Sequence, residues 1–188
     1  MSVLKISRID SFVSTVCVRF FIYRIIWDSR VVVDLRTATS LGEDVKMATY
    51  VVVIAVVKLY DDDNNNNDLD DRILLLRRNA RRRTSPNKWQ TPSGFMKEAE
   101  SAEEAVLREV KEETALDGTI EKSGSAFEVV DEWARWIILP FLVLVKSYKV
   151  VIDTREHSEF KWVKVDEVSS FECVKGIEDD LKAVGLKD

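Results

Sequence analysis

Cysteine and histidine are scarce in this chain, which has two cysteines and one histidine among 188 residues. Cys17 and Cys173 lie far apart and match no metal-ligand spacing. A disulfide-stabilised scaffold or a zinc knuckle therefore has little support, since both need cysteines or histidines in closely spaced groups. Free cysteines in such small number predict a reducing, cytoplasmic environment.

Long uninterrupted hydrophobic runs are also missing from the sequence. The one extended apolar stretch, from Phe12 to Trp27, contains Arg19 and Arg24 and is shorter than a bilayer span. It lacks a small-residue cleavage site of the signal-peptide kind. The sequence therefore predicts no membrane partner.

An excess of positive charge is the third feature that the chain lacks. Its 28 Lys and Arg residues against 33 Asp and Glu residues give a formal net charge of −5. A general binder of nucleic acid or of an anionic membrane usually carries a basic surface, so the charge favours a small soluble ligand. A content of 46% hydrophobic and 32% charged residues is typical of one globular domain.

The first 46 residues differ from the rest of the chain. Short β-branched runs lie there among scattered arginines without a clear period, whereas Met47 directly precedes a strong strand pattern from Thr49 to Tyr60. Residues 1–46 are either an extension that precedes the natural start or a pair of strands packed on the domain. We divide the chain into an N-terminal extension, 1–46, to which the sequence assigns no role, and a domain, 47–188.

Apolar runs predict the strands of this domain. The run from Val51 to Val57 is too continuous for a half-exposed strand and indicates a buried one. The tract from Asp61 to Asp71 predicts a solvated hairpin connection; a calcium loop is the alternative, but the tract lacks the glycine and terminal glutamate of an EF-hand. The other strand patterns are Ile73 to Leu76, Phe127 to Val130, Trp136 to Val145 and Phe160 to Val165.

One helix has a clear start signal. Ser101 and Glu104 form a capping-box pair, which predicts a helix from about Ala102 to Thr114, with Asp117 and Gly118 turning the chain out. A short amphipathic helix near residues 177–184 closes the chain. Strands before and after a central helix predict a mixed α/β (α+β) sandwich rather than a doubly wound parallel sheet.

The predicted central helix carries a group of acidic side chains. Glu109, Glu112 and Glu113 are three and four residues apart, so their carboxylates project from one helix face. Close like charges repel one another and raise carboxylate pKa values, which makes a cation their natural partner. Oxygen ligands in this number suit Mg²⁺ or Mn²⁺; a solvated acidic face with Arg108 and Lys111 as partners is the alternative.

The segment from Gly94 to Leu116 resembles the signature of the Nudix hydrolase family. That signature is a glycine, a glutamate six positions later, Arg-Glu, an aliphatic residue, and a Glu-Glu pair followed by a glycine and an aliphatic residue. The positions that match are Gly94, Glu100, Arg108, Glu109, Val110, Glu112, Glu113 and Leu116. Ala115 stands where the family has glycine, and an alanine in a left-handed cap there would cost about 1–2 kcal/mol unless the cap moves to Gly118.

The resemblance implies an α/β/α sandwich with a mixed central sheet and a metal site. Glu109, Glu112 and Glu113 would hold Mg²⁺, with Mn²⁺ as a substitute, and the backbone carbonyl of Ser93 would bind the metal as well. Glu109 would also orient or deprotonate the attacking water. Arg108 would pair with Glu100 and fix the loop against the helix.

A later segment, Glu156 to Trp162, resembles the loop before the family's late strand, where a glutamate supplies another metal ligand or the base. Glu156 is our candidate for that role, and an exposed loop carboxylate is the alternative. His157 is expected to be a loop or substrate contact rather than a catalytic base. The implied catalytic set is Arg108, Glu109, Glu112 and Glu156.

Basic and aromatic residues are the candidates for substrate specificity. Arg77 and Arg78, at a predicted strand end, suit phosphate groups, whereas Arg81 to Arg83 are expected to be a solvated basic loop. The cluster keeps an RNA-end substrate open. Phe127 and Trp133 are predicted to contact the base of a nucleotide; Trp89 and Trp136 are further aromatic candidates, and a place in the core is the alternative for each.

By resemblance, the chain hydrolyses a phosphoanhydride bond in a nucleoside diphosphate linked to another group: an NTP, a nucleotide sugar, ADP-ribose or a similar compound. The alternatives are a Nudix-fold sensor that binds a nucleotide without cleaving it and an RNA-end pyrophosphohydrolase. The sequence leaves a homodimer open.

Overall fold

Hydrophobic runs account for the centre of the fold, because they form strands that are covered on both faces. The computed structural model describes residues 32–33, 47–60, 72–131 and 134–188. Their strands are β1 (Val32–Val33), β2 (Ala48–Leu59), β3 (Arg72–Arg78), β4 (Trp89–Gln90), β5 (Ser93–Phe95), β6 (Gly118–Ser123), β7 (Phe127–Val130), β8 (Ala134–Val145) and β9 (His157–Lys164). Their helices are α1 (Ala102–Thr114), a 3₁₀ helix (Val165–Ser170) and α2 (Ile177–Ala183).

The described strands form one mixed sheet with the order β4-β3-β2-β8-β6. β2 and β8 are parallel along their whole lengths, from Ala48 opposite Ala134 to Leu59 opposite Val145. The other pairings are antiparallel: β1 and β5 pair with β2, β7 pairs with β8, and β9 pairs with β3. The predicted connection from Asp61 to Asp71 lies outside the described residues, as does most of segment 1–46.

Each face of the sheet is covered by one helix. On one face, Val53 and Val57 of β2 pack in a buried cluster with Val110 of α1. On the other face, Val56 packs in a second cluster with Leu181 of α2. The predicted mixed α/β/α sandwich is therefore confirmed.

The apolar run of β3 does not alternate with polar residues, and its position between the two hydrophobic clusters explains why. Leu74 and Leu76 lie in the α1 cluster, whereas Ile73 and Leu75 lie in the α2 cluster. Successive side chains point to opposite faces of a strand, so a strand between two helical layers buries consecutive residues, here Ile73 to Leu76.

The hydrophobic patterns of the sequence did not predict three of the strands, β4, β5 and β6. β4 and β5 contain only two and three residues, which is too few to show a period. β6 is largely exposed, with a mostly polar sequence. Gly118, predicted to turn the chain out of α1, is instead the first residue of β6, a position where a Cβ atom would lie 2.5 Å from Val143 Cγ1.

Helix α1 begins and ends where the sequence predicts. Ser101 caps it with an extended backbone, and both hydrogen bonds of the capping box with Glu104 are present. Ala115 is the C-cap, with φ 58° and ψ 11°, so the left-handed cap stays at Ala115 and does not move to Gly118. Its backbone N–H donates to the Lys111 carbonyl oxygen at 3.0 Å.

Ala115→Gly is expected to raise the free energy of unfolding by about 0.5–1 kcal/mol. Glycine removes the steric cost of the left-handed cap, and the gain is reduced by the greater entropy of glycine in the unfolded chain. Urea unfolding followed by circular dichroism measures the change. Ala102→Gly is the matched control, because Ala102 has ordinary helical geometry and its replacement should lower stability; equal effects of both substitutions would contradict the strain at Ala115.

Helix α2 buries a carboxyl group. Asp180 is 3% exposed, and its Oδ1 atom has no hydrogen-bond partner among the described residues. Burial, with a smaller contribution from Asp179, raises the pKa of Asp180 to about 7. The folded protein therefore holds this proton at pH values where the unfolded chain, with a pKa near 3.8, has released it.

Asp180→Asn should remove this pH dependence. Because the folded-state pKa is raised, the Asp180 contribution to stability is fully present below about pH 4 and is lost as pH rises to about 7. At pH 8 the variant should be more stable than the parent by about 3–4 kcal/mol, and near pH 4 the two should be similar. Urea unfolding at pH 4.5 and 8 tests this. Asp179→Asn, which changes an exposed neighbour, should show no such gain at pH 8. A pH-independent difference between Asp180→Asn and the parent would refute the raised pKa of Asp180.

Candidate active site

Arg108, in the middle of α1, holds the helix to strand β5 and to the loop between them. Its Nε and Nη2 atoms donate to the Glu100 carboxylate at 2.6 and 3.0 Å, and Nη2 also donates to the Phe95 carbonyl oxygen at 3.0 Å. The hydrogen bond from Arg108 lowers the pKa of Glu100 to about 2. The side chain thus ties α1 to the loop that follows β5, as the sequence implied.

Gly94 and Glu109 are in close contact. A Cβ atom built on Gly94 would lie only 2.0 Å from Glu109 Oε1, so the carboxylate occupies the space that any other residue would fill. Glu109 Oε1 also accepts from Arg108 Nη1 at 2.6 Å. Burial raises the pKa of Glu109 to about 7 despite the opposing effect of Arg108. A carboxylate with this pKa is suited to exchange a proton near neutral pH.

Glu113 is buried between α1 and the sheet. Its side chain is 5% exposed, and Oε2 accepts from the Ser93 backbone N–H at 3.1 Å. Oε1 lies 3.1 Å from Nε2 of His157, whose side chain is 1% exposed. Burial raises the pKa of Glu113, and the neighbouring His157 acts in the opposite direction.

The loop before β9 brings a second carboxylate to Glu113. Ligand atoms of Glu113, Glu156 and His157 all lie within 4.8 Å of one another, and we call these three residues the Glu113 cluster. The loop is fixed by backbone hydrogen bonds: Asp153 N–H donates to the Glu113 carbonyl oxygen at 3.1 Å, and Asn79 N–H donates to the Glu156 carbonyl oxygen at 2.8 Å. The cluster therefore joins the end of α1 to the ends of β3 and β9.

The amino-acid sequence of the chain also matches a known protein family. The family model of the NUDIX domain matches residues 49–182. The chain belongs to the Nudix hydrolase family. It is 29% identical to the pig (Sus scrofa) asymmetrical bis(5'-nucleosyl)-tetraphosphatase over 101 residues, which are 51% of this chain and 66% of the pig protein.

Solved Nudix structures share the fold. The MutT protein from Methanosarcina mazei Go1 superposes with a TM-score of 0.59 at 25% identity, over 71% of this chain and 91% of that one. The NUDIX domain of Shewanella oneidensis NrtR, solved in complex with ADP ribose, superposes with a TM-score of 0.58 at 21% identity, over 71% and 84% of the two chains.

The predicted Nudix ligands fall into two groups. Glu113 and Glu156 meet in the Glu113 cluster, where the Ser93 backbone N–H donates to Glu113 Oε2. The predicted metal contact of the Ser93 carbonyl oxygen stays a prediction. Glu109 and Glu112 instead both accept from Nη1 of Arg108, at 2.6 and 3.1 Å. The Glu112 side chain is 53% exposed and also pairs with Lys97 at 3.2 Å. The three helix carboxylates thus differ widely in exposure, although they are one helical turn apart.

The arginines before the Nudix box are engaged with protein groups. Arg77 donates to the Asn87 carbonyl oxygen at 3.1 Å and to Glu159 at 3.4 Å. Arg78 donates to Gln90 and to Thr84, and burial lowers its pKa. Arg82, which sequence reasoning assigned to a solvated loop, lies 3.4 Å from Glu156 Oε2. Arg82 is therefore the arginine paired with the Glu113 cluster.

The aromatic candidates lie in different places. Trp89 is 7% exposed and belongs to the core, and Trp133 lies outside the described residues. Phe127 lines a shallow groove beside Asp179 and Lys182 of α2, and no member of the Glu113 cluster lines that groove. These positions leave the predicted base contacts of Phe127 and Trp133 untested.

The candidate Trp136 lies beside Gly94 in an aromatic group with Tyr50 and Phe95, two residues that the sequence did not single out. Tyr50 stacks on Trp136, with ring centroids 5.0 Å apart, and meets Phe95 edge-on at 5.8 Å. All three side chains are only partly buried. Pairing of β2 with both β5 and β8 assembles them, and this long-range pairing leaves no local signal in the sequence.

His157 is not a loop residue but the first residue of β9, opposite Arg78 of β3, and it is buried. The alternative that it contacts substrate stays a prediction. Among the described residues, no helix is long and apolar enough to span a membrane.

Proposed function

We propose that this chain is a cytoplasmic Nudix pyrophosphohydrolase that uses Mg²⁺, or Mn²⁺ in its place, to cleave the phosphoanhydride of a nucleoside diphosphate linked to another group. The observation that carries the proposal is the placement of the matching signature glutamates. Glu109 is packed on Gly94 with a pKa near 7, and Glu113 is buried next to Glu156.

The residues fit a divalent cation. Glu113 is a buried carboxylate with a raised pKa, His157 lies beside it and Arg82 beside Glu156, and the Arg78 guanidinium acts on both carboxylates from a distance. Buried like charges are costly without a compensating cation, and carboxylate oxygens are preferred ligands of Mg²⁺ and Mn²⁺. Glu113 and Glu156 would hold the ion. Glu109 and Glu112 are the other two carboxylates of the signature on helix α1. When bound, the cation would neutralise diphosphate charge and lower the pKa of water.

The chain's own groups would then carry the proton transfer. Glu109 accepts a proton from the attacking water, for which its pKa near neutrality is suited. Arg108, through the 2.6 Å contact from Nη1, keeps that carboxylate in place. Water oxygen forms a bond to one phosphorus, and the bond from that phosphorus to the bridging oxygen breaks with its electron pair leaving on the other phosphate. The products are a nucleoside monophosphate and the phosphorylated remainder.

Two features support a substrate with several phosphates and a base. Arg82, 3.4 Å from Glu156, offers a guanidinium to a phosphate next to the cluster. The partly buried Tyr50, Phe95 and Trp136 rings offer a surface on which a base can stack. Because the pig relative is an asymmetrical bis(5'-nucleosyl)-tetraphosphatase, dinucleoside tetraphosphates are the first compounds to test.

A substrate screen tests this function. The panel contains dinucleoside tetraphosphates, ADP-ribose, nucleotide sugars, nucleoside triphosphates and capped RNA, each with Mg²⁺ or Mn²⁺. Reactions in ¹⁸O-labelled water, analysed by mass spectrometry, show which phosphorus is attacked. We expect metal-dependent release of a nucleoside monophosphate that Glu113→Gln abolishes.

Other outcomes would change the assignment. Tight binding of a nucleotide with no product from any compound would favour a nucleotide sensor. Selective cleavage of capped RNA would favour an RNA-end pyrophosphohydrolase. Normal turnover in Glu113→Gln would refute the role of this carboxylate.

A further inference from the structure

His157 is a buried imidazole whose ring nitrogens lack well-aligned partners. It is the only histidine of the chain and is 1% exposed. Neither Nδ1 nor Nε2 makes a hydrogen bond of good geometry with any described residue, although Nε2 lies 3.1 Å from Glu113 Oε1. A buried polar atom without a partner is costly, so Nε2, the nitrogen that lies beside Glu113, is expected to have a ligand.

The spacing of the Glu113 cluster matches ligands of one cation. Two ligand atoms that lie about 2.1 Å from an ion and at right angles to each other are separated by about 3.0 Å. The separation of His157 Nε2 and Glu113 Oε1 is 3.1 Å, and Glu156 offers a carboxylate oxygen within 4.8 Å of a ligand atom of each of these two residues. The backbone holds this spacing, because the His157 N–H donates to the Asp153 carbonyl oxygen at 2.9 Å and the Asp153 N–H donates to the Glu113 carbonyl oxygen at 3.1 Å.

We propose that His157 Nε2 is a direct ligand of the divalent cation, together with the Glu113 and Glu156 carboxylates. Our assignment rests on the proposed function only for the presence of a cation at this site. A nitrogen ligand changes the preference of the site. Imidazole is a preferred ligand of transition metals such as Zn²⁺ and Ni²⁺, and Mn²⁺, at the weak end of that series, accepts it more readily than Mg²⁺, which prefers oxygen ligands and retains its water. The Glu113 cluster is therefore expected to bind Mn²⁺ more tightly than Mg²⁺, while a saturating concentration of Mg²⁺ still fills it.

The competing interpretation is a simple contact between imidazole and carboxylate. In that case His157 orients Glu113, and the cation is held by oxygens alone. The two interpretations differ in one measurable property, which is the presence of a nitrogen atom in the first coordination shell of the metal.

Pulsed electron paramagnetic resonance with MnCl₂ as the only added metal measures that property. The full chain is used without an affinity tag, because His157 is then the only imidazole in the sample. We expect modulation from directly bound ¹⁴N, replaced by ¹⁵N modulation when the protein is labelled with ¹⁵N-histidine. This measurement needs no substitution, so it holds even if changes at the buried site impair folding. Absence of bound Mn²⁺, or Mn²⁺ without histidine nitrogen, would overturn the proposal.

Isothermal titration with MnCl₂ and MgCl₂ tests the metal preference. His157→Gln should weaken Mn²⁺ binding at least about tenfold and Mg²⁺ binding much less, because it removes the nitrogen ligand. Glu159→Gln is the matched control, since Glu159 lies on the same strand but pairs with Arg77. Its Mn²⁺ affinity should equal that of the parent, and equal losses for both metals in His157→Gln would contradict the proposed ligand.

These measurements are independent of turnover. Histidine-bound Mn²⁺ in a protein that cleaves none of the screened compounds would refute the proposed hydrolase function and leave the metal site standing. Cleavage by a protein whose bound metal lacks histidine nitrogen would do the reverse.

Discussion

Glu109→Gln is expected to lower kcat about 10²–10⁴-fold on the substrate found in the screen, which is the contribution typical of a general base. The amide keeps the shape of the side chain but cannot accept a proton from water. Its neighbours Gly94 and Arg108 remain in place, so folding should be preserved. Steady-state rates at saturating Mg²⁺ measure the effect, because saturation separates loss of the base from weaker metal binding.

Glu103→Gln is the control for this substitution. Glu103 is an exposed residue in the first turn of the same helix, so its replacement changes the charge of α1 without touching the site. Its kcat should stay within about twofold of the parent. A Glu109→Gln enzyme with more than a tenth of the parental kcat would exclude Glu109 as the base.

Gly94→Ala should lower kcat about 10²-fold with little change in stability. The added methyl group would lie 2.0 Å from Glu109 Oε1, and only the end of a flexible side chain has to move to make room. Displacement of a catalytic group by about 1 Å can cost 10²-fold in rate. Kinetics and urea unfolding of the same preparation separate the two effects, and Gly124→Ala provides the contrast, since its Cβ atom would lie 2.7 Å from the Ala183 backbone oxygen and should destabilise the fold.

A double substitution tests whether Gly94 acts through Glu109. If the methyl group acts only by moving that carboxylate, the Gly94→Ala, Glu109→Gln enzyme should be no slower than Glu109→Gln alone. Additive losses would show that Gly94 contributes in another way, for example through the backbone of β5.

Helix α1 illustrates what the sequence predicts well. Its start depends on Ser101 and Glu104, and its end on residues within one turn of Ala115, so all the determining contacts are local. The signature that the chain resembles likewise lies within one strand–loop–helix segment, so the Arg108–Glu100 pair that the resemblance implies depends only on contacts within that segment. The apolar runs of β2 and β3 predict buried strands because burial on two faces leaves no polar positions.

The environment of each glutamate was beyond sequence reasoning. Helical spacing places Glu109, Glu112 and Glu113 near one face, but it does not say which of them meets the sheet. Glu113 is buried because the loop before β9 crosses the end of α1, and Glu112 is exposed because no described element covers it. These differences depend on contacts between residues far apart in the chain.

The same reason explains His157 and Arg82. β9 pairs with β3, which places His157 opposite Arg78. The same pairing brings the loop after β3, with Arg82, close to Glu156. The sequence separates these residues widely, and neither lies in a periodic pattern that would predict its partner. Arg82 was therefore assigned to a solvated basic loop, and His157 to a loop or substrate contact.

The parallel pair of β2 and β8 has a consequence for how the chain acquires its structure. Residues 60–133, which include the whole Nudix box, must be looped out before the two strands meet. Closing such a loop loses chain entropy before any contact of the pair is gained, so topologies of this kind fold slowly. During synthesis, the edge of β2 that pairs with β8 has no partner until Val145 has left the ribosome, and an unpaired strand edge favours aggregation.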